Sequence, residues 1–206
     1  MKPMTSMWLR LRRSALDLYR DRRGVMAIEF AVIAPVMLVM FFGTVELSSG
    51  IAVDRKVTLM ARTLSDLTSQ NLSVTDTQLT NFFNASTGMM WPYASTPVKS
   101  TITELWIDPS TSNARVQWSQ GSAARAQGSS VVIPPNLIGK DSSGKVFPNQ
   151  YLIYSEVSYL YTPAVGYVMG KAGINLSDFT FTRPRQSFCV IYPAPSSGSL
   201  PACPTS

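Results

Sequence analysis

The residue whose chemistry stands out most in this sequence is Glu29, a carboxylate in an otherwise apolar stretch. It lies within residues 25–45, where it is the only charged side chain among 21 residues. A charge at the centre of a bilayer costs about 2.5–3.5 kcal/mol on insertion scales, but a carboxylate near the end of a span can lean toward the interface. Glu29 is therefore either tolerated at the rim of a membrane helix or kept there to form an ion pair.

Side chains that could support catalysis are sparse. The chain contains no histidine, which is the commonest general base and the commonest metal ligand. The glycine patterns of a nucleophile elbow, a Walker A loop and a dinucleotide-binding turn are also missing. Acidic residues outside the N-terminal part are scattered, which argues against a carboxylate pair or a calcium loop. The sequence thus predicts no enzyme, no cofactor and no metal site.

Two cysteines, Cys189 and Cys203, stand 14 positions apart near the C-terminus. Without histidine, they cannot supply the four ligands of a structural zinc site. They can close one disulfide if this part of the chain faces an oxidising compartment, and otherwise they are two unrelated thiols. The membrane topology deduced below favours the disulfide.

A second polar pattern near the C-terminus is the pair Arg183 and Arg185, which flank a proline. A guanidinium can bind a carboxylate through two parallel hydrogen bonds, so these residues are a candidate contact for a partner protein. Two solvated charges at the end of a strand would give the same pattern. The sequence leaves both interpretations open.

The element that positions Glu29 is a predicted membrane helix over residues 25–45. At 1.5 Å per residue, such a helix spans about 30 Å, the thickness of the hydrocarbon core. Pro35 is a predicted kink, which membrane helices tolerate better than soluble ones. No small-residue cleavage motif follows the apolar run, so we expect this helix to remain in the mature protein.

Basic residues are concentrated before this helix. Residues 1–24 contain seven Lys/Arg and two Asp/Glu, a net charge of +5, whereas residues 25–206 contain eleven and ten, a net charge of +1. This asymmetry predicts that residues 1–24 stay in the cytoplasm and that residues 46–206 lie across the membrane. Because the body has no basic cluster, we do not expect a nucleic acid as a partner.

Hydrophobic periodicity extends the helix beyond the membrane, through residues 46–70. Apolar side chains recur there at steps of three and four residues, which is one stripe on a helix. The stripe consists of Val53, Val57, Met60, Leu64 and Leu67. It packs either against the chain's own globular domain or against neighbouring subunits, as the seam of a coiled coil does.

Residues 71–193 are predicted to form an extracytoplasmic α+β domain. Thr75–Gln78 matches a capping box and predicts the start of a second helix. Candidate strands, rich in β-branched and aromatic residues, are residues 101–107, 114–119, 151–161 and 177–182. Residues 119–150 are mostly loop and a candidate surface for partners, and residues 194–206 are a Pro/Ser-rich tail. The predicted fold is a long, partly transmembrane helix packed on a small antiparallel sheet.

The N-terminal segment resembles a known family. Gly24 is followed by VMAI, then by Glu29 and Phe30 and an apolar helix, as in the cleavage region of type IV pilins and pseudopilins. More narrowly, GVMAIEFAVIAPVMLVMFFGTVEL resembles TadE-like minor pseudopilins of tight-adherence (Flp/Tad) pili. These share AxEFAxxxP, an aromatic–Gly pair and a later Glu. VSYLYTP (157–163) and RPR (183–185) are similar to the family's endings.

The resemblance implies a pilin-like fold and a role in assembly. Residues 1–24 would be a leader that prepilin peptidase removes between Gly24 and Val25. Glu29 and Phe30 would then be the fifth and sixth mature residues, with Glu29 pairing with the Val25 amine of a neighbouring subunit.

The partners that the resemblance implies are prepilin peptidase, other pseudopilins, the major Flp pilin and the inner-membrane pilus assembly platform. The helix would lie in the lipid bilayer of a bacterial inner membrane, before any incorporation into an extracellular pilus. The alternative is an uncleaved single-pass anchor that carries a periplasmic binding module.

Overall fold

The computed structural model of this chain describes residues 23–163, 173–196 and 198–205. These residues form two α-helices, one short 3-10 helix and five strands. The chain divides into two compact units, with the boundary between Leu47 and Ser48. Residues 1–22, most of the predicted leader, lie outside the described residues.

Helix α1 covers Arg23–Ser69. Before the boundary at Leu47 its apolar side chains are exposed, including those of Phe30, Met40 and Phe41. By length and composition α1 is able to cross a membrane, and no residue of its most apolar stretch is buried. Contiguous exposed apolar surface of this extent is typical of a segment that lies in lipid. The N-terminal part of α1 is therefore a candidate membrane anchor.

After the boundary, α1 packs on the sheet domain through the stripe predicted above. Val53, Val57, Met60 and Leu64 are fully buried and share one core with residues of the sheet. Leu67, the last member, is half-buried. Full burial of side chains of this size stabilises a fold by about 1.5–3 kcal/mol each. Packing against the chain's own domain is thus confirmed for the first four residues.

Helix α2 covers Asp76–Gly88 and begins with the predicted capping box. The Thr75 hydroxyl accepts a hydrogen bond from the Gln78 N–H (3.2 Å), and Gln78 Oε1 accepts one from the Thr75 N–H (2.9 Å). At the other end, Lys56 of α1 donates to the carbonyl of Met89 (2.8 Å). These contacts fix both ends of the helix, because the end groups have no partner within it.

Five antiparallel strands form one sheet in the order β3-β2-β1-β4-β5. The strands are β1 Val98–Ile107, β2 Ala114–Gly121, β3 Ser130–Val131, β4 Gln150–Tyr161 and β5 Ile174–Thr182. β1 and β2 are the predicted hairpin. Its turn is held by the Asp108 carboxylate, which accepts hydrogen bonds from Ser110 and Thr111 that lower the pKa of Asp108 to about 2.

The sheet has a core on each face. Adjacent residues of a strand point to opposite faces, so Ile153 packs in the core under α1 whereas Leu152 packs in a second core. This second core is closed by the segment between β2 and β4, through Ile133 and Val146. The segment predicted to be mostly loop therefore covers the sheet, although Val132 within it is 96% exposed.

The chain ends in a segment that we call the C-terminal strap, residues 183–196 and 198–205. Backbone hydrogen bonds hold it against the link between α1 and α2, with Val74 N–H donating to the Ile191 carbonyl and Ala194 N–H to the Val74 carbonyl (2.9 Å each). The predicted disulfide joins Cys189 and Cys203. It ties down the Pro/Ser-rich tail, which has few apolar residues of its own.

Removing this disulfide is expected to lower the free energy of unfolding by about 3 kcal/mol, the value for a closed loop of about 15 residues. Urea unfolding of the full chain in detergent micelles, followed by near-UV circular dichroism, measures the loss. The Cys189→Ala/Cys203→Ala variant and the reduced wild-type chain should agree, because the chain contains only two cysteines. An unchanged urea midpoint in both would contradict the strap's dependence on the bond.

Candidate assembly segment

The predicted scissile bond joins Gly24 and Val25 in α1. A Cβ atom added at Gly24 would have no neighbour within 4 Å, and the Val25 side chain is 51% exposed. The segment that the sequence predicts to be cut is therefore open on the surface of the helix.

Glu29 lies on the same face of α1 as Val25, because residues four apart are neighbours on a helix surface. The distance between them along the axis is about 6 Å at 1.5 Å per residue. The Glu29 side chain is exposed and forms no hydrogen bond or ion pair with any described residue. The described part of the chain thus presents a carboxylate on an apolar helix surface without supplying its partner.

Phe30 and Pro35 belong to the same surface. Phe30 is 70% exposed, and Pro35 lies inside α1, which continues on both sides of it. Since proline has no N–H, the carbonyl of Ala31 loses its usual partner four residues later. The kink predicted at Pro35 stays a prediction.

The structure separates the roles of the two arginines near the C-terminus. Arg185 forms an ion pair with Asp66 of α1, and its backbone N–H donates to the carbonyl of Ser69 (2.9 Å). Arg183 donates to the carbonyl of Leu137 (3.0 Å) and is exposed. The carboxylate expected from a partner protein is, for Arg185, supplied by the chain's own Asp66. A partner contact at Arg183 stays a prediction.

Two polar sites of the sheet domain were not singled out from the sequence. The first is Glu104 of β1, which is fully buried. Its Oε1 accepts a hydrogen bond from the Val190 N–H of the strap (2.5 Å), whereas its Oε2 has no hydrogen-bond partner among the described residues. Burial raises the pKa of Glu104 to about 8, and the hydrogen bond from the Val190 N–H opposes this rise only in part. The available signal was one acid in the strand sequence TITELWI.

The second site is an ion pair on the opposite face of the sheet. Arg125 Nη2 lies 2.7 and 2.6 Å from the two carboxylate oxygens of Glu156, which also accepts a hydrogen bond from the Tyr154 hydroxyl (2.8 Å). The guanidinium lies over the Tyr154 ring, 5.6 Å from its centre. Arg125 and Glu156 neutralise each other, so we interpret this ion pair as a structural contact that holds the β2–β3 segment against β4.

Comparison with known proteins concerns the N-terminal segment. The family model described as TadE-like protein matches residues 24–64. The match begins at Gly24, includes Glu29, Phe30 and Pro35, and ends in the buried stripe of α1. No curated protein and no solved structure matches the chain.

The match bears directly on the kind of function to expect. TadE-like proteins are structural, pilus-associated proteins and not enzymes. The resemblance found in the residues themselves is thus confirmed over residues 24–64, all of which lie in α1. Over residues 24–64 this chain matches the TadE-like family, and it is consistent with a TadE-like protein of the Tad pilus system.

Proposed function

We propose that this protein is a minor pseudopilin, a structural component needed to assemble an adhesive Flp/Tad-type pilus. The observation that best supports this function is the TadE-like match, which begins at the residue where the leader is expected to end. The exposed apolar surface of α1 before Leu47 supports it as well, because a pseudopilin is held in the membrane before assembly.

The proposed orientation places residues 1–24 in the cytoplasm and the sheet domain in the periplasm. The excess of Lys/Arg before the apolar segment supports it. The Cys189–Cys203 disulfide supports it independently, because such bonds persist mainly in oxidising compartments. In this orientation, prepilin peptidase meets the Gly24–Val25 bond at the cytoplasmic face of the inner membrane.

Cleavage creates the cation that Glu29 lacks. Once the leader is removed, Val25 carries a free amine at the start of the apolar helix. A neighbouring subunit displaced along the assembly axis brings its Val25 amine to Glu29. At a separation of about 4 Å and an effective dielectric constant of about 20, the attraction is about 4 kcal/mol. The pair also removes two isolated charges from lipid, so it favours one register between subunits.

The proposed partners follow from these steps. Prepilin peptidase cuts the leader, and other pseudopilins and the major Flp pilin provide the neighbouring helices. The inner-membrane assembly platform receives the processed protein. In the alternative function, an uncleaved anchor that carries a periplasmic binding module, the leader is retained and Glu29 never meets a Val25 amine.

Two glycines of α1 allow a controlled test of processing. A Cβ atom at Gly24 or at Gly43 would meet no atom within 4 Å, so a leucine at either position fits the chain equally well. Gly24→Leu is expected to block removal of the leader from most of the protein and to reduce pili to a small residual amount, whereas Gly43→Leu should be processed normally. Electrophoresis of membrane fractions separates the two forms by the roughly 24-residue leader. Normal processing of the Gly24→Leu variant would contradict the proposed cleavage site.

A further inference from the structure

A cavity of about 370 Å³ lies between the sheet and the C-terminal strap. It is lined by Glu104 and Trp118 on the sheet side, and by Tyr192 and three prolines on the strap side. Pockets that bind small organic groups start at about 300 Å³. The space is therefore large enough for the end of a long side chain or a small organic molecule.

The acidic group that lines this cavity is the Glu104 carboxyl, and the neutral amides of Gln117 and Gln127 line it as well. Glu104 is fully buried, and its Oε2 has no hydrogen-bond partner among the described residues. Buried carboxylates are normally paired, because an isolated charge in a low-dielectric interior is costly. Among the residues that the structure describes, no lysine or arginine lines the cavity, and the titratable groups that face Glu104 or share the cavity are the hydroxyls of Tyr151 and Tyr192.

The hydrogen-bond donors of the two aromatic residues that line the cavity already have partners. The indole N–H of Trp118 donates to the carbonyl of Val190 (2.8 Å), and the Tyr192 hydroxyl donates to Asp76 Oδ1 (2.5 Å). The two rings lie 5.2 Å apart between their centres. Because the faces of aromatic rings are electron-rich, they attract cations rather than anions. An acidic side chain beside two aromatic rings is therefore a combination that favours a cation as the ligand.

We propose that this cavity binds an organic cation, an alkylammonium or alkylguanidinium group, against Glu104 and the rings of Trp118 and Tyr192. This site is separate from the assembly segment and does not depend on the proposed pilus function. The cation belongs to a lysine or arginine side chain of another protein or to a free small amine, since both present the same chemistry.

Binding is coupled to a proton. Without a ligand, burial keeps the Glu104 carboxyl protonated up to a pKa of about 8. The arriving cation stabilises the carboxylate, so Glu104 releases its proton to the solvent as the ion pair forms. Each unit of pH between 6 and 8 should therefore strengthen binding by up to about tenfold, and the gain should level off above pH 8.

The test is a titration of the ¹⁵N-labelled full chain in detergent micelles with butylguanidinium and with butylammonium in phosphate buffer. Two-dimensional NMR follows the Trp118 indole N–H signal, which is identified with a Trp118→Phe sample. We expect saturable shifts with a Kd that falls as the pH rises from 6 to 8. Absence of saturable shifts with both probes, or a Kd that does not change with pH, would overturn the proposal.

Variants and a second ligand sharpen the result. Glu104→Gln keeps the size of the side chain and should weaken binding at least tenfold and remove the pH dependence. Asp54→Asn removes an exposed carboxylate of α1 and should change neither the strength of binding nor its pH dependence. An unstructured peptide with one arginine identifies the source of the cation. Tighter binding of this peptide than of butylguanidinium indicates a protein side chain, and equal binding indicates a free amine. Equal binding by Glu104→Gln and wild type would overturn the assignment to Glu104.

Discussion

Replacing Glu29 with glutamine is expected to abolish pilus assembly while leaving the protein inserted in the membrane. Glutamine has nearly the same size but no charge, so insertion should be slightly easier. Assembly should fail because the Val25 amine of the neighbouring subunit would then lie in lipid without an opposite charge. Removing one partner of a buried ion pair costs about 3–5 kcal/mol, which is more than a hundredfold in an equilibrium constant.

The measurement is the amount of major pilin in sheared filaments, compared with the amount of this protein in washed membranes. Asp54→Asn is the matched control, because it neutralises an exposed carboxylate on the same helix beyond Leu47. Wild-type amounts of filament from the Glu29→Gln strain would contradict the pairing.

Combining Glu29→Gln with Gly24→Leu tests whether the partner of Glu29 is the amine that cleavage creates. If Glu29 acts through the amine that cleavage creates, the uncleaved Gly24→Leu variant has already lost that interaction. Adding Glu29→Gln to it should then cause no further loss, whereas independent effects would add. Any residual assembly in Gly24→Leu that falls again in the double variant would show that Glu29 acts elsewhere.

Replacing Glu104 with glutamine is expected to stabilise the protein at alkaline pH and to flatten its pH dependence. The pKa of Glu104 rises from the ordinary value of 4.5 to about 8 on folding. Below pH 4.5 the carboxyl is protonated in both the folded and the unfolded chain, so the raised pKa does not change the free energy of unfolding there. It lowers this free energy only at higher pH. Between pH 4.5 and 8 the unfolded chain releases this proton and the folded chain keeps it, so stability falls as the pH rises.

The expected difference grows with pH and then levels off. Wild type and Glu104→Gln should have similar free energies of unfolding at pH 4.5, and by pH 8.5 the variant should be more stable by about 3–5 kcal/mol. Urea unfolding of both full-length chains in micelles at these two pH values measures the difference, with Asp54→Asn as the control that should follow wild type. A constant difference across the pH range would contradict the raised pKa.

The elements of this fold were predictable where local patterns decide them. The apolar stripe of α1, the Thr75 capping box and the β1–β2 hairpin all follow from spacing or turn chemistry within a few residues. β5 starts at Ile174 rather than at residue 177 because pairing with β4 overrides the weak strand preference of Asn175. The order of the strands depends on contacts distant in sequence, and no local pattern reports it.

The candidate sites divide in the same way. Glu29 was recognisable because charged side chains are rare in apolar segments. Glu104 was not, since a strand that alternates between faces commonly contains an acid on its exposed side. That side of β1 is an interior because α1 packs on it and because the strap, folded back from residues some 86 positions away, contacts Glu104 itself. The ion pair between Arg185 and Asp66, 119 positions apart, escaped prediction for the same reason.

Under the proposed function, cutting one bond creates the partner of Glu29, and the N-terminus of the mature protein shows whether this bond is cut. The protein should be isolated from membranes of a strain with active prepilin peptidase and analysed by N-terminal sequencing and intact mass. We expect a sequence that begins VMAIEF, at Val25, and a mass that lacks residues 1–24. A mature protein that retains Gly24 and the arginines before it would contradict the account.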